Sequence, residues 1–250
     1  MSVFLTLTRR ELASYFLSFA GYVIIAAGTF LTGICLYDLI GRLLFKPMPM
    51  PINELFFGTW YPWLVLIPTV PLITMRSFAL EKFSGTYETL MTAPVRDGQV
   101  VFAKFAAALV FYAIMWVPLM GCLLTLHHFS LTPQPLDPGV LGTTYLGVLL
   151  VGGLFIAFGC FASALTKSQS VAAIIALGLN IGLFILGNYV GDLQDRIGPL
   201  GNLLASLAIP DQLHEFARGI LDTRSVVSFL SLTGLFLFLT LRVVESRRWK

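Results

Sequence analysis

Six long apolar runs, separated by shorter polar segments, make up most of the chain. They cover, within a few residues, Phe19–Ile40, Trp60–Thr74, Val100–Leu126, Val140–Leu165, Ser170–Val190 and Val226–Val244, numbered here as spans 1 to 6. A helix of about 20 apolar residues crosses the roughly 30 Å hydrocarbon core of a bilayer, and most of these runs approach that length. The strict alternation expected of barrel strands is absent. The pattern predicts an all-α, polytopic membrane protein with six transmembrane helices, forming one transmembrane domain over residues 1–250.

The segment before span 1 has a different, amphipathic pattern. Leu5, Leu12 and Phe16 are interleaved with the charged run Arg9, Arg10 and Glu11. A helix of this kind lies in the plane of the membrane surface, with its apolar side in lipid and its charges in water. We therefore expect residues 1–16 to form an interfacial helix.

A second amphipathic segment, Leu80–Pro94, follows span 2. At helical periodicity its apolar side chains share one face, and these are Leu80, Phe83, Tyr87, Leu90 and Met91. The polar side chains occupy the rest, namely Glu81, Lys82, Thr86, Glu88, Thr89 and Thr92. Pro94 should end the helix. The pattern predicts one short helix whose polar face meets water and docks a soluble partner.

A third amphipathic segment lies in the long connection between spans 5 and 6, residues 191–225. Its apolar positions, Leu213, Phe216, Ala217, Ile220 and Leu221, alternate with His214, Glu215, Arg218 and Asp222. We expect an outer helix here in an interfacial or re-entrant position, where it would form a lid over the outer end of a pathway, with His214, Phe216 and Arg218 as candidate gate residues.

The distribution of basic residues predicts the orientation of the chain. Of the 16 lysines and arginines, eleven fall on the side of the N-terminus and five on the other side. The positive-inside rule then places both termini in the cytoplasm. Only 12% of the residues are charged, against about 25% in soluble domains. The net charge of +3 is small, and the basic residues lie mostly between spans, so nucleic acid is not an expected partner.

A few polar side chains lie within the apolar runs. Asp38 and Arg42 are four residues apart near the outer end of span 1, as an interfacial ion pair or a substrate contact. Asn180 and Asn188 share a face of span 5, either as helix-packing groups or as the lining of a pathway. Glycines in span 4 favour close helix packing, and these are Gly152, Gly153 and Gly159.

The chain carries no recognisable catalytic or metal-binding motif. The cysteines Cys35, Cys122 and Cys160 lie apart in apolar runs, and His127, His128 and His214 have no metal-ligand spacing. There is no serine nucleophile elbow, no HExxH and no GxxxxGK[ST] phosphate loop. We expect a protein that is not an enzyme and binds no metal or cofactor of its own.

Three blocks of the sequence carry a family resemblance. The run MRSFALEKFSGTYETLMTAPVRDGQVVFAKF, Met75–Phe105, resembles the segment after the second span of ABC-2 type exporter permeases, which holds their coupling helix. The matching positions are Glu81, Gly85, Thr86, Glu88, Leu90, Ala93 and Pro94. The start RRELASYFLSFAGYV and the end from His214 to Lys250 resemble, more narrowly, the permease subunit of the gliding-motility-associated ABC transporter subfamily.

The resemblance implies a permease subunit of an ATP-binding cassette exporter in the bacterial cytoplasmic (inner) membrane. Such a permease pairs with a second permease, or a second copy of itself, and binds two ATP-binding subunits that hold ATP and Mg. The resemblance is also compatible with a further partner subunit that carries a periplasmic domain. The implied ATPase-coupling residues are Arg9, Arg10, Glu11, Glu81, Lys82, Phe83, Gly85, Thr86, Tyr87, Glu88 and Leu90.

Two other functions stay open at this point. A non-transporting mechanotransmission or assembly subunit would carry the same coupling face. An ion-driven secondary transporter would need broken helices or carboxylates near the membrane midplane. Spans 2, 3, 4 and 5 contain no Asp or Glu, which disfavours this function. The substrate is not indicated by any motif.

Overall fold

The computed structural model describes residues 3–45, 56–86, 95–129, 138–197 and 208–246, with backbone alone at 42–45, 125–129 and 190–197. These residues form nine helices and no strand. The helices are α1 (Val3–Phe16), α2 (Phe19–Phe45), α3 (Tyr61–Thr74), α4 (Ala79–Ser84), α5 (Asp97–Phe129), α6 (Pro138–Leu165), α7 (Gln169–Ile197), α8 (Ile209–Ala217) and α9 (Thr223–Ser246).

Within the described ranges, six stretches of helix are long and apolar enough to cross a membrane. They are Phe19–Gly41, Tyr61–Ser84, Asp97–Leu124, Pro138–Leu165, Gln169–Tyr189 and Thr223–Ser246. Each contains the core of one of the six runs, so the prediction of an all-α protein with six transmembrane helices is confirmed. Span 2 is longer than predicted, because α3 and α4 follow one another as a single apolar stretch that ends at Ser84.

Span 4, formed by α6, lies at the centre of the bundle. It packs against α3, α5, α7, α8 and α9. In its most apolar stretch of 18 residues, 78% of the residues are buried. Two glycines make this possible, because a Cβ at Gly152 would lie 2.1 Å from the ring of Tyr112, and one at Gly159 would lie 2.0 Å from the hydroxyl of Thr74. The predicted role of these glycines in close packing is confirmed, whereas Gly153 is in ordinary contact only.

The helix after span 2 differs from the prediction. The expected continuous helix from Leu80 to Met91 is wrong, because α4 ends at Ser84 and Gly85 takes a left-handed conformation with φ 74°. Glycine adopts this conformation without steric cost and so ends helices readily. Residues 87–94, including Pro94, lie outside the part of the chain that the structure describes.

The outer amphipathic helix is present as α8, but it is shorter than predicted. It ends at Ala217, and Gly219 follows with φ 83°. Leu213, Phe216 and Ala217 are buried, as the pattern predicts. Ile220 and Leu221 lie beyond the turn and are about half exposed, so the prediction that they belong to the apolar face of this helix is wrong.

Candidate functional site

Four charged side chains from three helices meet at one end of the bundle. Lys104 of α5 lies 2.9 Å from the Oε1 atom of Glu81 in α4 and 3.1 Å from Oε1 of Glu11 in α1. Arg10 of α1 donates to the same two oxygens, at 2.7 Å to Glu11 and 3.4 Å to Glu81. We call Arg10, Glu11, Glu81 and Lys104 the charge cluster. It ties the interfacial helix to spans 2 and 3.

The charge cluster is electrically balanced and largely shielded from solvent. Two cations face two carboxylates, and the Lys104 side chain is only 2% exposed. Glu11 and Glu81 are 14% and 18% exposed, whereas Arg10 reaches solvent at 54%. Attraction between opposite charges at about 3 Å is strong where water is excluded, and it offsets the cost of burying Lys104. Hydrogen bonding to Glu11 raises the pKa of Arg10 above its ordinary value, so Arg10 stays charged.

Aromatic packing holds α1 against span 3 beside this cluster. The rings of Tyr15 and Phe16 lie 5.0 Å and 5.3 Å from the ring of Phe111 in α5. Burial raises the pKa of the Tyr15 phenol, which therefore stays neutral. The interfacial helix is thus attached through an apolar contact at its C-terminal end and through ion pairs one turn earlier.

The turn between α3 and α4 is held by span 4. The Ser163 hydroxyl of α6 accepts hydrogen bonds from the backbone N–H groups of Phe78 and Ala79, both at 3.0 Å, and donates to the carbonyl of Met75 at 3.2 Å. These N–H groups lie at the start of α4, where backbone N–H groups have no acceptor within their own helix. Lys82 reaches across to the carbonyl of Ala164 in α6. Span 4 therefore fixes the position from which Glu81 reaches the charge cluster.

Replacing Ser163 with alanine should destabilise this turn. Two buried N–H groups would lose their acceptor, at a cost of about 1–3 kcal/mol. The matched control is Ser170→Ala, at an exposed serine in α7, which should change stability by less than about 0.5 kcal/mol. Thermal unfolding of the purified variants in detergent measures the difference. Equal midpoints for both variants would contradict the anchoring role of Ser163.

The predicted water-facing side of the coupling segment is turned inward. Glu81 and Lys82 are engaged inside the bundle, so the prediction that this polar face meets water is wrong for both. The outward side is instead apolar, with Phe83 78% exposed and Leu80 40% exposed. The partners inside the bundle offset the cost of burying the charges of Glu81 and Lys82, and the apolar groups of α4 are left facing outward.

Other predicted coupling residues are distributed around this end. Arg9, Gly85 and Thr86 are exposed, and the Thr86 hydroxyl lies 2.8 Å from that of Ser84. Tyr87, Glu88 and Leu90 lie outside the described residues. Of the predicted set, the structure brings together Arg10, Glu11 and Glu81.

Lys104 and Ser163 were not predicted as site residues. Lys104 is the one charged residue inside the apolar run of span 3, and a charge there needs a partner. The sequence therefore indicates that Lys104 has a partner, but it does not indicate which residue that partner is. Ser163 had no comparable signal, because small residues surround it in span 4.

The candidate pathway residues have different surroundings. Asp38 accepts a hydrogen bond from the Tyr61 hydroxyl of span 2, and the side chain of Arg42 is not described. Asn180 is fully buried in span 5, with no hydrogen-bond partner for its amide among the described residues. Asn188 is exposed and donates to the carbonyl of Phe184 in its own helix. A shared pathway-facing role for the two asparagines stays a prediction.

The candidate outer gate is packed against span 4. Phe216 is buried against Gly147, and the Phe216 carbonyl accepts a hydrogen bond of 3.0 Å from Thr143. His214 is half-buried, and Arg218 is exposed at the end of α8. Phe216 thus anchors the outer helix, and gating by this helix stays a prediction.

The described residues contain no group of three His, Cys, Asp or Glu side chains that could hold a metal ion. The expectation that the chain binds no metal or cofactor stays a prediction.

Comparison with known protein families gives a match over nearly the whole chain. The family described as "ABC-2 family transporter protein" matches residues 13–248, which include the six spans and part of the charge cluster. Comparison with curated proteins gives no match. The narrower resemblance to the gliding-motility-associated subfamily stays a prediction. The membrane subunits of this family are generally not themselves the ATPase, and they work with an ABC ATP-binding subunit. The chain belongs to the ABC-2 family of transporter proteins, as a multi-pass membrane permease.

Proposed function

We propose that this permease couples ATP hydrolysis in a separate subunit to the export of a substrate, and that the coupling passes through the charge cluster. The observation that carries the proposal is the pair of ion pairs made by Lys104, to Glu11 and to Glu81. Through these contacts a displacement of α1 or α4 acts directly on span 3. The sequence has no phosphate loop, so ATP and Mg would bind to the partner.

Span 4 would receive the same displacement. Ser163 and the carbonyl of Ala164 hold the turn before α4 and the side chain of Lys82. A push on α4 would therefore reach spans 2, 3 and 4 together. A change of this kind shifts the population between two arrangements of the bundle only if the ATP-bound partner contacts them differently.

The proposed assembly follows from the charge distribution and the family. Both termini would lie in the cytoplasm of a bacterium, with the chain in the inner membrane as a single transmembrane domain over residues 1–250. Two ATP-binding subunits would dock at the charge-cluster end. A second permease, or a second copy of this chain, would complete the pathway, and the α8 region would form its outer gate.

Exposed groups next to the charge cluster support a docking contact at this end of the bundle. Glu81 is occupied inside the bundle, so it is unsuited to bind a partner directly. Phe83 lies two residues further on, and 78% of its side chain is exposed. Large exposed aromatic side chains often contribute most to protein interfaces. We assign the main contact with the ATP-binding subunit to Phe83, supported by Gly85 and Thr86.

The Phe83→Ala variant tests this assignment. Co-expressed with its ABC ATP-binding subunit, it should bind that subunit about thirtyfold more weakly, which corresponds to about 2 kcal/mol at an interface hot spot. Co-purification followed by titration of the separated subunits measures the loss. Thermal unfolding of the permease alone should change little, because 78% of Phe83 is exposed to solvent in the permease.

The matched control is Phe19→Ala, at the start of α2, where the phenylalanine is 84% exposed. Its binding to the ATP-binding subunit should equal that of the wild type. Equal binding by the Phe83→Ala variant and the control would overturn the docking assignment. Transport of labelled substrates by proteoliposomes that contain both subunits would test export itself, in contrast to mechanotransmission without transport.

A further inference from the structure

A cleft lies beside the charge cluster, between the interfacial helix and spans 1 and 2. Its volume is about 730 Å³, and residues of α1, α2, α3, α4, the turn before α4, and Lys104 of α5 line it. Ser14 and Ser18 line it from the end of α1, and Leu72 and Arg76 line it from span 2 and the turn that follows α3. The cleft therefore opens where the chain passes from the membrane surface into span 1.

The cationic groups of the cleft outnumber its carboxylates. Arg10, Arg76 and Lys104 line it together with Glu11 and Glu81. The charge cluster uses both carboxylates to balance Arg10 and Lys104. Arg76 is exposed and has no carboxylate within ion-pair distance among the described residues. Among the described residues, its guanidinium donates one hydrogen bond, to the Ser18 hydroxyl at 3.4 Å.

An arginine beside a hydroxyl matches the chemistry of a phosphate group. The planar guanidinium presents paired N–H donors to two phosphate oxygens, and it is less strongly hydrated than an ammonium group. The Ser18 hydroxyl beside Arg76 supplies a further donor. The excess of one positive charge in the cleft favours a monoanion.

The remaining wall of the cleft is apolar. Ile24 of span 1 and Leu72 of span 2 line it, and Leu80 of α4 lies next to the charged end. Leu72 and Leu80 keep 42% and 40% of their surfaces exposed in the chain alone. A hydrophilic anion would leave this wall uncovered, whereas an amphiphile would bury it, at about 25 cal/mol for each Å² covered. Charge and apolar surface together therefore select a lipid.

We propose that this cleft binds the phosphate headgroup of an anionic phospholipid, with Arg76 as the main contact and an acyl chain along Ile24 and Leu72. Arg76 lies in the turn just past the end of α3, is exposed, and lines the cleft together with Arg10, which reaches solvent, so it belongs to the polar end of the bundle where a headgroup can bind. The site rests on the membrane placement of the chain and is independent of the proposed docking of an ATPase.

Native mass spectrometry of the full-length protein in detergent tests the proposal, with phosphatidylglycerol and phosphatidylcholine as probes. The wild type should retain phosphatidylglycerol about tenfold more strongly than phosphatidylcholine, as expected for charge-assisted hydrogen bonds to a phosphate without a compensating choline. Arg76→Gln should abolish this preference, and Arg76→Lys should keep part of it. Exposed Arg76 is not needed for folding, which size-exclusion chromatography of the variants verifies.

Arg242→Gln is the matched control, because Arg242 is an exposed arginine in α9 that is paired with Glu245 and does not line the cleft. It should retain the full preference. An equal loss in the Arg242→Gln variant, or no loss in Arg76→Gln, would overturn the proposal. Inorganic phosphate at millimolar concentration distinguishes the sources of the anion. Weak competition supports a lipid, and complete displacement of the lipid shows a phosphate site and contradicts the lipid assignment.

Discussion

Replacing Lys104 with methionine is expected to lower the free energy of unfolding of the bundle by about 3–5 kcal/mol. The lysine is 2% exposed and contacts both Glu11 and Glu81, so its loss leaves two shielded carboxylates with Arg10 as their remaining cation. Methionine fills a similar volume, and the effect therefore reports charge and not a cavity. Thermal and denaturant unfolding of the purified permease measure it.

A second substitution separates loss of charge balance from loss of contact. In the double variant Lys104→Met with Glu81→Gln, Arg10 and Glu11 form a balanced pair again, and we expect at least half of the stability to return. Lys167→Met is the matched control, because Lys167 is exposed between α6 and α7, and its change should stay below about 0.5 kcal/mol. A Lys104→Met variant as stable as this control would show that the charge cluster contributes nothing.

The apolar runs are the part of the fold that the sequence predicts best. Crossing a bilayer requires long apolar helices, so length and composition locate the six spans without any knowledge of their packing. The ends are less certain, because helix ends depend on local groups. Span 3 begins at Asp97, three residues before the predicted Val100, and span 4 begins at Pro138, two residues before Val140.

The direction in which the coupling segment faces was harder to predict. Periodicity correctly groups Leu80 with Phe83, and it groups Glu81 with Lys82, but it does not say which group meets the protein. In a soluble protein the apolar face would be buried. Here the charged residues are turned inward toward partners from α1, α5 and α6, while Phe83 is exposed.

The charge cluster itself required the tertiary structure. Glu11, Glu81 and Lys104 are far apart in the chain, and no local pattern indicates which carboxylate will face the lysine of span 3. A sequence can show that Lys104 needs a partner, because an unpaired charge in an apolar span is costly. The packing of α1 onto α5, through Tyr15 and Phe16 on Phe111, selects the partner.

Close contact between spans 2 and 4 leads to the second large prediction, which concerns Gly159. A Cβ at this position would lie 2.0 Å from Oγ1 and 2.5 Å from Cβ of Thr74. Thr74 is fully buried. The backbone fixes the position of its Cβ, so a change of side-chain rotamer cannot relieve that contact. Gly159→Ala must therefore push span 2 away from span 4. We expect a loss of about 3 kcal/mol in stability, at the upper end for an overpacked core.

The matched control for this variant is Gly153→Ala, in the same helix. A Cβ at Gly153 would meet its nearest neighbour, in Leu109, at 3.8 Å, which is an ordinary contact. Alanine there should be neutral or slightly stabilising, because it favours helix over glycine. Unfolding midpoints for the two variants give the comparison, and equal midpoints would contradict tight packing at Gly159. Because Ser163 lies one turn further along α6, a displaced span 2 should also weaken the hydrogen bonds that hold α4, and with them the position of Glu81 in the charge cluster.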